Sequence, residues 1–116
     1  MILTLTLTLE QATAAGLSLC EAEHGVPPQE VAEYCGMAAA FVAKHEGAVR
    51  PQQISVAASV SGAAFKKLAK HLTGSRLIVQ VGQCAATSAA NAGATMHQMA
   101  AAASSAVKEA GGTLNR

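Results

Sequence analysis

The sequence predicts a helix-rich α+β fold, with a short sheet of about three strands packed against three to four helices. Three observations carry this. The first nine residues alternate between apolar residues and threonine. Two later segments, 54–60 and 76–82, are rich in β-branched and large apolar residues and lie beside turn signals. Much of the rest is dense in alanine, the strongest helix former, above all from Cys84 to Ala94 and from Met99 to Ala106.

The elements follow in chain order. Leu3, Leu5, Leu7 and Leu9 alternate with Thr4, Thr6 and Thr8, a period-2 strand with one apolar and one hydroxyl face, expected at about 2–8. Thr8-Leu9-Glu10-Gln11 reads as a capping box. The helix it opens runs to about Glu23, with Ala12, Ala15, Gly16, Leu19 and Cys20 on one side. Pro27-Pro28 opens a second helix, whose positive end suits Glu30 and Glu33. Val31, Tyr34, Cys35, Ala38, Phe41 and Val42 form its inner stripe, and Lys44, His45 and Gly47 close it.

Residues 52–72 admit two readings. As one helix, Ile54, Ala58, Ser61, Phe65, Leu68 and Leu72 repeat at 4-3-4-3-4 spacing. As strand and helix, Ile54, Val56, Ala58 and Val60 alternate, Ser61-Gly62 turns the chain, and a helix covers 63–72. The second is preferred, because Ser61 is a good N-cap and Gly62 a poor interior helix residue. With Arg76–Gly82 as a further strand, 54–82 becomes a strand–helix–strand unit of right-handed crossover. A long helix then runs from Cys84 to Ala110, with Gly93 kinking it or admitting a close neighbour. Residues 1–112 form one domain, 113–116 a flexible tail, and no internal repeat is evident.

The 116 residues carry a net charge of +1, and only 13% are charged, about half the usual share. No global field therefore draws the chain to nucleic acid or an anionic membrane. Aromatics are Tyr34, Phe41 and Phe65 alone. So little charge leaves alanine surface in water, which points to a homo-oligomer or a protein partner. No apolar run approaches the roughly 18 residues of a membrane span, and the N-terminus lacks signal-peptide character. Cys20, Cys35 and Cys84 show no CxxC spacing and read as reduced thiols of a cytoplasmic protein.

Several groups of residues are candidates for function. Residues 29–46 place Ala32, Gly36, Met37 and Val42 where two helices of a helix-turn-helix would touch, turn and lock. Over these 18 residues the chain resembles the excisionase-like type of helix-turn-helix. The resemblance implies DNA binding, with Lys44 and His45 toward the duplex. It departs from that type in offering Ala38, Ala39, Ala40 and Ala43 where base-reading side chains belong. The bland alternative is one amphipathic helix.

Lys66, Lys67, Lys70 and Arg76, with His71, form a basic cluster suited to phosphates or an acidic partner, or simply to a solvated helix end. Gly82-Gln83-Cys84 would put Cys84 at a helix N-terminus, where the dipole favours thiolate, making it a weak candidate nucleophile. The commoner role for such a cysteine is a buried thiol. His24, His45, His71 and His97 have no ligand spacing, so no metal and no cofactor are expected.

Ala85, Ala89, Ala92, Gly93, Met96 and Ala100 form a small-residue face on the final helix, suited to close contact with another subunit. The reading these features favour is a small non-enzymatic assembly or protein-interaction module, homo-oligomeric through that helix and the N-terminal strand. A DNA-binding regulator and a small ligand-binding or cysteine-dependent α/β enzyme are the alternatives.

Overall fold

Proline and glycine punctuate a chain of helices. Pro28 opens α1 (Pro28–His45), where its fixed φ is helical and its missing N–H costs nothing. Gly47, at φ +92°, ends it. The Gly47 N–H reaches the Lys44 carbonyl and the Ala48 N–H the Ala43 carbonyl, each at 3.0 Å, which completes a Schellman turn. In α2 (Arg50–Leu68) the Gln52 Oε1 accepts from the Val49 N–H at 3.1 Å, and Gln53 Nε2 donates to the Ala48 carbonyl at 2.8 Å. Both bonds pin the connecting loop. The computed structural model describes residues 25–111, so the strand expected at 2–8, the helix after it and the tail 113–116 lie outside the described residues.

The next pair of helices repeats these devices. α3 (Gly74–Asn91) ends at Gly93, φ +98°, with Gly93 N–H to Ala90 O and Ala94 N–H to Ala89 O, again each 3.0 Å. α4 (Met96–Glu109) opens on a capping box: Thr95 Oγ1 accepts from the Gln98 N–H at 3.2 Å, and Gln98 Oε1 accepts from the Thr95 N–H at 2.9 Å. The helix starts at 28 and 74, the ends at 45 and 91 and the turn glycines at 47 and 93 all share an offset of 46 residues. At that offset Gly36 recurs as Gly82, Ala39 as Ala85, Ala43 as Ala89, Gln52 as Gln98 and Ala57 as Ala103.

The chain is therefore a tandem pair of helical hairpins, which corrects the expectation of no repeat. What repeats is small residues and loop chemistry, and in an alanine-rich sequence such matches carry weight only once they coincide with helix ends and crossings. The hairpins stack in an open array. α1 touches α2 and α3, α2 touches every other helix, and α1 and α4 do not meet. A closed four-helix bundle would join its first and last helices; a stacked array of repeats does not.

Glycine sets the crossings. A Cβ on Gly36 would lie 2.6 Å from the Ala57 carbonyl oxygen and 2.8 Å from Ser88 Oγ, so α1, α2 and α3 converge there at backbone distance. Gly62 faces Ala106 and Val81, and Gly82 faces Val107 and Ala103, which brings α4 in by the same means. Around these points lie Val31, Cys35, Ile54, Val60, Phe65 and Val81, all buried. Ser61 Oγ donates to the Cys84 carbonyl at 3.2 Å inside the core, whereas buried Ser88 Oγ has no hydrogen-bond partner among the described residues.

No strand exists among the described residues, and the predicted sheet with its strand–helix–strand unit at 54–82 is absent. Residues 54–60 belong to α2 and follow the 4-3-4 spacing of the single-helix reading. Because α2 contacts every other helix, Ile54, Val56, Ala57, Ala58 and Val60 are all buried, and a helix buried nearly all round mimics the apolar run of a strand. Residues 76–82 belong to α3, where Val81, Cys84, Ala85, Ser88 and Ala89 form one continuous buried stripe across the expected strand boundary. The single helix expected from 84 to 110 is two, because Gly93 terminates α3 instead of kinking it.

These contacts set the cost of substitution. Gly36→Ala pushes a methyl group into a backbone carbonyl that cannot rotate away and should lose about 1–3 kcal/mol, despite the better helix propensity of alanine. Gly62→Ala meets Ala106 Cβ at 3.2 Å and Val81 Cγ1 at 3.3 Å, looser than the contacts at Gly36, and should stay within about 1 kcal/mol of wild type. Ser61→Ala should cost about 0.5–1.5 kcal/mol, while Ser88→Ala, which removes a buried orphan hydroxyl, should be neutral or stabilising. Urea unfolding midpoints of the four variants test the ranking.

Candidate interaction surface

The residues proposed for chemistry do not assemble into a reactive site. Cys84 sits within α3, 0% exposed, and not at a helix N-terminus. Burial pushes its thiol up to about 12, and the Glu33 carboxylate on α1 adds to the shift. A nucleophilic thiol needs access and thiolate character, and Cys84 has neither. The expected placement of Cys84 at a helix N-terminus is thereby corrected. Cys35 is buried on the inner side of α1, as the sequence suggested, and Cys20 lies outside the described residues. Without strands 54–60 and 76–82 there is also no strand-end crevice to bind a ligand.

Residues 29–45 lie in one uninterrupted helix, which Glu46 caps. A helix-turn-helix needs a turn between two helices, and Gly36 provides none, because it lies in the helix interior at the crossing with α2 and α3. Lys44 and His45 are exposed in the last turn, where positive charge favours the helix end; the His45 ring also meets Phe41 edge-on, centroids 4.5 Å apart at 74°.

The basic cluster does gather around the α2–α3 connection. Lys66 and Lys67 lie in the last turn of α2, Lys70 and His71 follow it, and Arg76 is in the first turn of α3, all exposed. Lys66 and Lys67 also rim a cavity of about 470 Å³ that Glu109 lines as well.

The small-residue face predicted on the final helix is split by the turn at Gly93. Ala85 and Ala89 are 0% exposed in this chain's own core and unavailable to another subunit. Ala92 is half-buried, Gly93 lies against the Arg50 side chain, and Met96 and Ala100 stand exposed on α4.

The structure presents instead a surface that includes Tyr34 and Phe41, two residues of the expected inner stripe of α1. α1 buries its small residues, Ala32, Gly36, Ala39 and Ala43, at 4-3-4 spacing together with Val31 and Cys35. Tyr34, Met37 and Phe41 point outward, 48%, 46% and 63% exposed. Two of the three aromatic residues in the chain thus lie in water on one helix face. At the 46-residue offset the same positions of α3 hold Gln80, Gln83 and Thr87. The hairpin fold therefore does not require apolar residues at these sites. The signal was present in the sequence: small residues at interior helical spacing mark a close-packing face, which turns the aromatics outward.

Among the described residues no three His, Cys, Asp or Glu side chains converge as metal ligands, and no helix is long and apolar enough to cross a membrane. Comparison with family models, with curated proteins and with solved structures returned no match.

The thiol shift has a consequence for stability. The unfolded chain ionises Cys84 above the ordinary value of 9.0, while the fold holds the proton up to about 12. The folded state thus binds more protons in that window, so its stability is complete below pH 9 and falls as pH rises toward 12, by up to about 1.4 kcal/mol per unit for this group. Unfolding midpoints between pH 8.5 and 10.5 should fall less steeply in Cys84→Ala than in wild type. Equal slopes would remove Cys84 from the account.

Proposed function

We propose that this protein is a small helical assembly and protein-interaction module, homo-oligomeric and without catalytic activity of its own. One observation carries the reading: the exposed Tyr34–Met37–Phe41 face of α1, set against the polar residues at the same repeat positions of α3. Aromatic and methionine side chains are enriched at interface centres and contribute most of the binding energy there. A stacked hairpin array suits this role, since its stability needs only neighbour contacts and leaves the outer faces free to vary. Fold alone does not assign the function, so the argument rests on the side chains of this face. The reading includes a cytoplasmic location, in keeping with Cys84 as a buried reduced thiol. It moves the contact from the Ala85–Ala100 set, in which Ala85 and Ala89 are internal, to α1.

Sedimentation equilibrium from low micromolar to several hundred micromolar protein tests the proposal. The weight-average mass should rise with concentration. A mass that stays at the monomer value over the whole range would sink it.

A further inference from the structure

The α1 face also specifies its partner, an inference that rests on the assembly reading above. Along α1 the exposed positions Glu30, Tyr34, Met37, Phe41 and Lys44 follow a 4-3-4-3 spacing, the seam of a helix that pairs with another helix. This face is acidic at its start and basic at its end, with the apolar residues between. The pattern is a palindrome in chemistry. Reversed end for end about Met37, Glu30 exchanges with Lys44, and Tyr34 falls one residue, about 1.5 Å along the axis, from the mirror position of Phe41.

From this we infer that the face binds a second copy of itself, as an antiparallel α1–α1 pair on a twofold axis near Met37. In that register Glu30 lies beside Lys44 of the partner subunit at both ends. Tyr34 lies beside the partner's Phe41, an aromatic pair formed twice, and Met37 meets the partner's Met37 on the axis. A twofold contact requires a surface complementary to itself, and this one is. The parallel alternative sets Glu30 on the partner's Glu30 and Lys44 on the partner's Lys44, repulsive at both ends. One helix face per subunit lies at the low end of the area a stable dimer buries, which suits a concentration-dependent contact.

Charge reversal reads the register. Glu30→Lys turns two attractive contacts into two repulsive ones and should weaken the dimer about tenfold at low salt, and Lys44→Glu should do the same. The double variant E30K/K44E restores opposite charges in the antiparallel pair and should return to within about threefold of wild type. Phe41→Ala should weaken association more than either single charge change. Circular dichroism of each variant confirms that α1 is intact.

Three results overturn the inference while leaving an assembly module standing. They are a dimer indifferent to Glu30→Lys, a double variant no tighter than the singles, and a dimer untouched by Phe41→Ala. A wild-type monomer at all concentrations overturns both.

Discussion

The backbone contact at Gly36 is the constraint on which the rest of this structure depends. The Ala57 carbonyl oxygen and Ser88 Oγ occupy the space that a side chain at residue 36 would fill. Three helices meet there with no side chain between two of them. Dispersion forces fall steeply with distance, so helices with little bulk gain enough contact only by close approach. Among the described residues the core holds few large side chains: Phe65 is its buried aromatic, and much of the remainder is Val, Ile, Cys and Ala. Gly62 and Gly82 extend the same solution to α4. Close approach brings polar groups into the interior too. Ser61 satisfies its hydroxyl on the Cys84 carbonyl, and Ser88 is left unsatisfied beside Gly36.

The tandem hairpin explains which residues vary and which do not. Each half keeps its crossing glycine, inner alanines, glycine turn and capping glutamine, because the same geometry must form twice. Outward positions are released from that requirement, and there the halves diverge, with Tyr34, Met37 and Phe41 in the first and Gln80, Gln83 and Thr87 in the second. An open array without contact between α1 and α4 keeps both outer helices available to solvent. Divergence on a repeated scaffold separates the demands of folding from those of recognition.

The same packing takes Cys84 out of reach as a nucleophile. Small residues draw Cys84 fully out of water, and burial together with the Glu33 charge holds it as a neutral thiol. Lys44, Lys66, Lys67 and Lys108 stand in the last turns of their helices, where positive charge suits the helix end. What distinguishes this molecule is a surface whose apolar and charged residues are ordered along one helix.

The sequence by itself determined the extent of α1, through Pro28 at its start, Glu30 early, and Lys44, His45 and Gly47 at its end, because these signals act within a turn or two of backbone. It also held the helical spacing of 54–68 and the burial of Cys35. Only the tertiary structure decided that 54–60 and 76–82 are helical. Propensity differences between strand and helix amount to tenths of a kcal/mol per residue, and alternation over seven residues fits either period. The balance was set by the central position of α2 and the continuous stripe of α3, which burial against other helices rewards. The aromatic face followed the same rule. At Tyr34 and Phe41 hydrophobicity favoured the inside, but glycine and alanine let the helices come so close that only small residues fit between them, and the large ones were left outside.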